Sequence, residues 1–534
     1  MQSTFIEYVF LILMILGLVM LANKLRLAYP IVLVIGGLGL SLFSDFSSIT
    51  INPELIFFIF LPPLLYEAAW QISWKEFWKW RRVITSFAFP IVILTSGVIA
   101  FVSTALIPGF TWALGFLLGG IISPPDAISA TTIMRQVKVP KSLVSIAEGE
   151  SLLNDASSLI VFRFALAAVI TGQFYFQQAA GSFLLVVVLG ILIGLAVGFV
   201  FYAIHRWLPV TPSIEIVLTF VTPYCMYYAA EYFHFSGVLA VVSGGLFLSS
   251  KRQSMLSYVS RIQSVNVWTS SVFIMNGLIF LLIGLQLKSV INQLGDISLA
   301  TATWYGVVIS AILIVTRLIC ALGASAFTMF MSNFITVADA NPGWKSPLVL
   351  GWAGMRGVVS LAAALSIPLL AQDNQAFPYR SLIIFITFIV IMVTLVLQGL
   401  TLPWLVRKLN ITPSASSVPE HEQEKIIQKK ISHHSLLYLE ENTGNGSGEN
   451  DHLTNLKARL KIELDFFSRE IDESENAHKQ LRNEYKEIYL GLLEHQRNVL
   501  DAINHKAEFD EELVRKYQAL VDVEEYKIRE KFHQ

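Results

Sequence analysis

Thirteen apolar stretches follow one another up to residue 407, and they constrain the fold more than any other feature of the chain. Most are close to the roughly 20 residues that a helix needs to cross the hydrocarbon core of a bilayer. In lipid, a helix satisfies its own backbone hydrogen bonds. We therefore expect an all-α polytopic membrane protein with about 13 transmembrane helices. The stretches lie at 4–21, 29–44, 54–70, 83–106, 110–134, 143–171, 180–204, 212–230, 235–250, 266–290, 302–330, 347–370 and 381–406.

Charged residues divide the chain into two parts. Of the 38 basic and 39 acidic side chains, 34 lie up to Arg407 and 43 lie in the last 127 residues. We expect residues 1–407 to form a transmembrane domain. Residues 408–534 are expected to form a cytoplasmic C-terminal tail of solvated amphipathic helices, with a flexible linker around 442–450.

Several classes of protein are made improbable by composition and motif content. Hydrophobic residues make up 54% of the chain and charged residues only 14%, which is unlike a soluble enzyme. The net charge of −1 argues against a nucleic-acid partner. Neither a nucleotide-binding loop nor a metal-spaced Cys/His cluster is present, so we expect no cofactor.

The basic residues of the short loops predict the orientation in the membrane. Basic loops stay on the cytoplasmic side. With thirteen spans and the N-terminus outside, two basic residues, Lys288 and Arg380, fall in outer loops. The inner ends carry Lys24, Arg26, Lys75, Lys79, Arg81, Arg82, Arg135, Lys138, Lys141, Arg206, Lys251, Arg252, Arg261, Lys345 and Arg407. The tail is therefore predicted to be cytoplasmic.

Two stretches contain residues that interrupt a helix. The fifth has the run Ser-Pro-Pro-Asp at 123–126, and the twelfth has Gly-Met-Arg-Gly at 354–357. Adjacent prolines remove two backbone donors. Interrupted helices at matching positions of two six-helix halves are typical of the binding site of a transporter with inverted repeats. The alternative for the glycines is that they only let helices pack closely.

The sixth stretch opens with polar residues on an otherwise apolar helix. Ser151 and Asp155 are four residues apart and share one face, whereas Glu150 and Asn154 form a second pair around the helix. A hydroxyl and a carboxylate are ligands that suit a hard cation. Glu150 at this depth needs a positive partner.

Further ionisable residues lie within the apolar stretches, where charges are costly and face a bundle interior or a water-filled path. So many acids at membrane depth indicate a cation pathway. We interpret Arg317 as structural, and Arg163 as either a counter-charge or a residue that extends to the interface. The others are Glu67, Asp126, Glu148 and Arg356.

Four motifs resemble those of the sodium/proton exchangers of the NhaP and eukaryotic exchanger type. Residues 150–155 (ESLLND) look like the Asn-Asp signature, 123–126 like the broken helix, and 354–357 like the arginine motif of that family. Residues 61–67 (LPPLLYE) match its third-span motif. The order and approximate spacing agree over residues 1–407, while the tail shares no such motif.

The resemblance implies roles for individual residues in cation binding. Asp155 is expected to be the essential carboxylate that binds either the proton or the cation. Ser151 and Glu67 are expected as co-ligands, and Pro125 as the source of a backbone carbonyl, although some relatives have a hydroxyl residue at that position. Asn154 is expected in the same cation-binding set, and it marks the branch expected to be electroneutral.

The resemblance also implies structural charges and an assembly. Asp126 would neutralise helix ends where the broken helices cross. Glu150 would pair with Arg356 and hold the sixth and twelfth spans together. A homodimer in the plasma membrane, surrounded by lipid, is expected.

The resulting hypothesis is a secondary antiporter, not an enzyme, that exchanges Na⁺ for H⁺ one for one by alternating access. K⁺/H⁺ exchange, or exchange of Li⁺, is the alternative within the same fold. A cation channel is the alternative from another class. A buried carboxylate between paired broken helices disfavours it.

Overall fold

Each of the thirteen apolar stretches contains helix within its described residues in a computed structural model of the chain. The structure describes every residue except 1, 26, 42–55, 138, 173–175, 293, 295–296, 335–338, 340–342, 372–374, 411–419, 443–450, 473–474, 505–510 and 532–534. Within the described residues the fold is helical, apart from turns and one isolated bridge between Leu370 and Ala376. The expected all-α class is confirmed.

The apolar part contains nineteen α-helices within the described residues, which we number in chain order. The first ten are α1 Gln2–Leu25, α2 Tyr29–Ser41, α3 Leu61–Gln71, α4 Trp74–Ser86, α5 Val92–Leu106, α6 Trp112–Ile122, α7 Ala127–Gln136, α8 Lys141–Thr171, α9 Phe176–Trp207 and α10 Pro212–Tyr232. The others are α11 Gly237–Ser250, α12 Arg252–Met255, α13 Tyr258–Leu285, α14 Leu287–Asn292, α15 Leu299–Met331, α16 Lys345–Trp352, α17 Val358–Leu365, α18 Arg380–Val393 and α19 Gly399–Leu409.

Three short π-helical segments, with wider turns than an α-helix, continue some of these helices. Ile56–Phe60 leads into α3, Phe87–Ile91 joins α4 to α5, and Thr394–Gln398 joins α18 to α19. Pro90 lies inside the second segment, where its missing N–H removes one backbone hydrogen bond. Such segments recur at functional sites.

Six helical segments of the described chain are long and apolar enough to cross a membrane: Trp74–Leu106, Lys141–Thr171, Gly181–Trp207, Tyr258–Asn292, Leu299–Met331 and Arg380–Leu409. Four shorter apolar helices accompany them, at Val9–Leu25, Tyr29–Ser41, Trp112–Ile122 and Gly237–Ser250. The chain is thus a multi-pass membrane protein. The count of thirteen spans stays a prediction.

The helices of the apolar part pack as two bundles. The first bundle contains α1, α2, α3, α9, α10, α11 and α13, and the second contains α4 to α8 and α15 to α19. The bundles meet mainly where α8 contacts α3 and α11, and where α13 contacts α17. We call this boundary the seam.

The two expected helix breaks lie together in the second bundle. The fifth stretch is split into α6, which ends at Ile122, and α7, which begins at Ala127. The twelfth is split into α16 and α17, which leaves residues 353–357 without helical structure. The backbone N–H of Asp126 donates to the carbonyl of Met355 at 2.7 Å, so the two breaks are in direct contact.

The chain divides into two compact units, Met1–Thr412 and Pro413–Gln534, and the second contains the charged part. Its helices are α20 Glu420–Asn442, α21 Asp451–Asp472, α22 Glu475–Asn504 and α23 Glu511–Lys531. Most of the linker expected around 442–450 lies outside the described residues. Hydrogen bonds from Arg529 and Arg497 hold the pKa of the Glu525 carboxyl below its usual value, and Arg497 joins α22 to α23.

Candidate cation site

Asp126 closes the gap between the two halves of the fifth stretch. Its carboxylate accepts the backbone N–H of Ile128 at 3.2 Å and that of Ser129 at 3.3 Å, and so caps α7. A Cβ atom added at Gly357 would lie 2.8 Å from the Asp126 carboxylate, so only glycine lets the second break approach this closely. The carboxylate of Asp126 therefore lies at the positive end of a half-helix, where the two breaks meet.

Polar side chains of α8 attach that helix to the broken one. The Asn154 amide Nδ2 donates to the carbonyl of Pro125 at 3.4 Å, and the Ser158 hydroxyl donates to the carbonyl of Gly120 at 2.5 Å. At Gly120 an added Cβ would lie 2.9 Å from the backbone of Phe162. These contacts fix the position of α8, and with it Asp155, relative to the break in the fifth stretch.

A cavity of about 220 Å³ lies on the seam, with room for several water molecules. Its walls include Asp155, Ser151, Glu67 and Pro125, together with Asp126, so the structure brings these predicted residues together. Asp155 is 7% exposed. Asn154 is fully buried and is not among the described residues that line the cavity, because its amide is directed to Pro125.

The mouth of the cavity carries a separate set of charged groups. Glu67 accepts a hydrogen bond from Gln71 one turn along α3. Arg135 and Glu148 form an ion pair of 2.6 Å with a partly exposed arginine. The cavity is therefore approached from the end of the bundles where α3 ends and α8 begins, which is an end rich in basic residues.

The partner of Glu150 differs from the one that we expected. Arg317, on α15, pairs with Glu150 at 2.8 Å, and a second contact of 2.9 Å makes the pairing bidentate. Both side chains are almost completely buried. The expected pair between Glu150 and Arg356 is thus wrong. Arg317 is structural as interpreted, and Glu150 joins α8 to α15 instead of to the twelfth stretch.

Arg356 is fully buried in the second break and forms no salt bridge with another described residue. Its three guanidinium nitrogens have no hydrogen-bond partner among the residues that the structure describes. Its backbone N–H donates to the hydroxyl of Thr394 at 3.1 Å, at the start of the third π-helical segment. The residue therefore attaches the second break to the third π-helical segment through its main chain.

Arg163 lies beyond Asp155 on α8, on the side away from Glu148. It donates twice to the Glu231 carboxylate of α10, at 2.7 Å each. The pair crosses the seam between the two bundles. Glu231 also accepts the N–H of Gly237 at the start of α11. Of the two interpretations of Arg163, the structure favours the counter-charge, although its partner is Glu231 and not Asp155.

Three polar residues of the cavity wall were not predicted from the sequence. Asn276, on α13, lines the cavity and is 4% exposed. Thr131 and Ser360 line it from α7 and α17. A single amide or hydroxyl in an apolar helix carries no pattern, so nothing in the sequence indicated which of many such residues would face the cavity.

The described residues hold no group of three or more His, Cys, Asp or Glu side chains that could bind a resident metal ion. The donors at the cavity are carboxylate, hydroxyl and amide oxygens. Such donors suit a hard cation that passes through. The fold and the cavity together define a membrane protein with a buried carboxylate between two helix bundles, as in a cation transporter.

Comparison with known proteins gives the family. A family profile described as "Sodium/hydrogen exchanger, transmembrane" matches residues 10–408, and the chain belongs to this family of exchangers. The chain is 33% identical to the low-affinity Na⁺/H⁺ antiporter NhaS1 of Synechocystis over 389 residues, which cover 72% of this chain and 70% of that protein.

Two further similarities concern length and fold. The chain is 32% identical over 418 residues to the sodium, potassium, lithium and rubidium/H⁺ antiporter of Bacillus pumilus, covering 75% of this chain but only 62% of that protein. The solved sodium proton antiporter MjNhaP1 of Methanocaldococcus jannaschii superposes with a TM-score of 0.57 at 17% identity. The superposition covers 77% of this chain and 99% of MjNhaP1, which shows the same fold.

Proposed function

We propose that the protein is a secondary antiporter, not an enzyme, that exchanges Na⁺ for H⁺ across the membrane. The proposal rests on one observation, the position of Asp155. It is a buried carboxylate that faces a cavity on the seam, beside a hydroxyl and further oxygen donors. No basic side chain forms a salt bridge with it among the described residues.

The mechanism follows from competition at one carboxylate. Burial favours the protonated form of an acid, while a bound cation favours the ionised form, so the two cargoes exclude each other. Asp155 is the site of this competition, with Ser151, Glu67 and the carbonyl of Pro125 as further ligands. Alternating access then exposes Asp155 to one side of the membrane at a time, as the two bundles shift along the seam.

The exchange is one cation for one proton. Asn154, which lies beside Asp155 in the chain, cannot titrate, and its amide is engaged with Pro125. In the proposed mechanism Asp155 changes its charge during the cycle, and Glu67 is the second carboxylate whose titration the stoichiometry test below would reveal. Na⁺ is the proposed cargo, with K⁺ and Li⁺ as the alternatives that the name of the Bacillus pumilus relative supports.

Reconstituted protein tests the proposal. In proteoliposomes with an imposed pH gradient, added Na⁺ is expected to dissipate the gradient, and Li⁺ and K⁺ give the selectivity. Asp155→Asn is expected to abolish this in a folded protein. Glu148→Gln, at the mouth, is the control that retains exchange. Exchange by the Asp155→Asn protein would contradict the proposed role of Asp155 in the antiporter. Cation flux that is not coupled to protons would contradict the antiporter and favour a channel.

Stoichiometry has its own test. The half-saturating cation concentration is expected to rise about tenfold for each pH unit below the pKa of the site, as competition with one proton requires. The exchange rate is expected to be independent of an imposed membrane potential clamped with valinomycin and K⁺. A net current on a solid-supported membrane would show that more than one charge moves in each cycle.

We further propose a homodimer in the plasma membrane with a cytoplasmic C-terminus. The fifteen-to-two distribution of basic residues supports the orientation. Helix α9 supports the dimer: its apolar window is 17% buried, against 39% to 72% for the other five long segments, which leaves a large apolar face for lipid and a second copy. A monomer by mass photometry in native membrane discs would exclude the dimer.

A further inference from the structure

We infer that Asn276 is a ligand of the transported cation, supplied by the bundle that does not carry Asp155. This inference rests on the proposed function and adds to it a residue that is selective for the cation over the proton. Asn276 lies on α13, which packs on α1, α2 and α10 of the first bundle. Asp155 and Ser151 lie on α8 of the second.

Asn276 is a buried polar side chain with an unsatisfied hydrogen-bond acceptor within the described residues. It lines the same cavity as Asp155 and is 4% exposed, and its Oδ1 has no hydrogen-bond partner within the described chain. A buried amide oxygen without a partner is costly, because it has lost its water and gained nothing in return. An apolar residue of the same size avoids that cost. A cation or its last water molecules in the cavity would satisfy the amide.

The neighbours of Asn276 on α13 show that this position is distinct. Val272, one turn before it, and Ile279, about one turn after it, also line the cavity, and both are apolar. Asn276 is thus a single polar group in an apolar stripe of α13, in a cavity whose carboxylates come from α3, α8 and the break before α7. An amide oxygen is a hard ligand of the type that alkali cations accept.

An amide side chain is expected to affect the binding of the cation and not the binding of the proton. Asp155 binds both the proton and the cation, so its removal affects both. Asn276 does not titrate, and no hydrogen bond joins it to Asp155 within the described residues. It stabilises the cation-loaded site and leaves the proton-loaded site almost unchanged. Replacing it should therefore weaken cation binding without moving the pH at which the empty site takes up its proton.

The test is binding measured on the purified full-length protein, independently of transport. Thermal unfolding is followed while Na⁺ replaces choline at constant ionic strength, since a ligand that binds the folded state raises the melting temperature. Asn276→Leu is expected to raise the half-saturating Na⁺ concentration about tenfold, as the loss of one ligand oxygen implies. In choline alone, its pH profile of unfolding should match that of the unmodified protein.

Two further variants separate a ligand from a wall residue. Val272→Ala changes the shape of the cavity one turn away and should keep the original Na⁺ dependence. Asn276→Asp keeps size and oxygen, and at alkaline pH it should bind Na⁺ at least as tightly as asparagine, whereas a structural amide would not tolerate the charge. If Asn276→Leu does not fold, Asn276→Ala replaces it in the comparison with Asn276→Asp.

The outcomes distinguish this inference from the function on which it rests. If Asp155→Asn loses the Na⁺ response while Asn276→Leu keeps it in full, Asn276 is not a ligand and the antiporter proposal stands. An equal loss in Val272→Ala, or in Asn276→Asp at alkaline pH, also overturns the ligand role. If Asp155→Asn keeps the response, the proposed site itself is wrong.

Discussion

Glu150 and Asp155 lie five positions apart on the same helix and have opposite surroundings. Glu150 is neutralised by a bidentate contact with Arg317, whereas Asp155 faces a cavity. The first carboxylate thereby has a fixed counter-ion in Arg317, whereas in the proposed mechanism the second exchanges its counter-ion. The division of roles between them depends on these partners, since both are acids on one apolar helix.

The Glu150–Arg317 pair leads to a prediction about stability. Removing one partner of a buried ion pair costs about 3–5 kcal/mol, because the other charge is left without compensation. Arg317→Gln and Glu150→Gln should each lower the melting temperature strongly. Arg356→Gln should lower it less, since the guanidinium of Arg356 has no hydrogen bond within the described residues.

Tryptophan fluorescence of the detergent-purified variants during heating measures this difference. The double variant Glu150→Gln/Arg317→Gln should recover part of the loss, because no unpaired charge remains. An equal or larger loss in Arg356→Gln would mean that Arg356, and not Arg317, is the partner of Glu150 in the membrane.

At the residue scale, four of the five residues expected at the cation site lie together, Asn154 being the exception, whereas the charge pairing was not predicted. Asp155, Ser151, Glu67 and Pro125 line one cavity, as the shared face and the motifs indicated. The choice between two intramembrane arginines as the partner of Glu150 was wrong. That choice depends on how α15 packs against α8, which no local pattern of residues encodes.

Among the helices, α9 and α11 show how closely the backbones of the first bundle approach. A Cβ atom added at Gly194 would lie 2.1 Å from the carbonyl of Ala240 and 2.5 Å from the hydroxyl of Ser243. In lipid, helix association depends on such close packing because the acyl chains are as apolar as the side chains. Gly194 is thus a packing residue.

A pair of variants on α9 tests this contact. Gly194→Ala should destabilise the protein by about 1–3 kcal/mol through overpacking. Gly181→Ala, on the same helix, has nothing within 4 Å of the added Cβ and should be neutral or slightly stabilising. Both are measured by thermal unfolding in the same detergent. A similar loss in the two variants would indicate an effect on the helix alone, without a role for the contact with α11.

Helix breaks were predictable because their causes are local. Two prolines at 124 and 125 and three glycines around Arg356 each act on their own backbone. The π-helical segments were not predicted. They arise where one extra residue is accommodated in a packed helix, and Ile56–Phe60 and Thr394–Gln398 contain neither proline nor glycine.

For the molecule as a whole, the orientation can be tested with one engineered cysteine. The native Cys225 and Cys320 are replaced by alanine, and Asn450→Cys is introduced in the tail. A membrane-impermeant maleimide should label this residue only after the cytoplasmic side is made accessible, because the basic loops predict a cytoplasmic tail. Labelling of intact cells would reverse the predicted orientation.

The bundle organisation was only partly accessible from the sequence. The lengths of the apolar stretches indicated membrane helices, and the family motifs indicated broken helices in a core. The seam between the bundles was not predicted, because it depends on long-range contacts such as that of α8 with α11, between helices far apart in the chain. The same applies to the contact between Arg163 and Glu231.

The contact between Arg163 and Glu231 predicts that ionic strength changes the rate of turnover. At the end of the seam away from the cavity mouth, the Arg163 side chain is 45% exposed and that of Glu231 is 20% exposed, so dissolved salt screens their attraction. Any motion that opens this end must separate the two charges, at a cost of about 0–1 kcal/mol for a pair so exposed. High choline chloride on that side should therefore speed turnover less than fivefold, and Arg163→Gln should remove the effect. A salt response that survives in Arg163→Gln would have another origin.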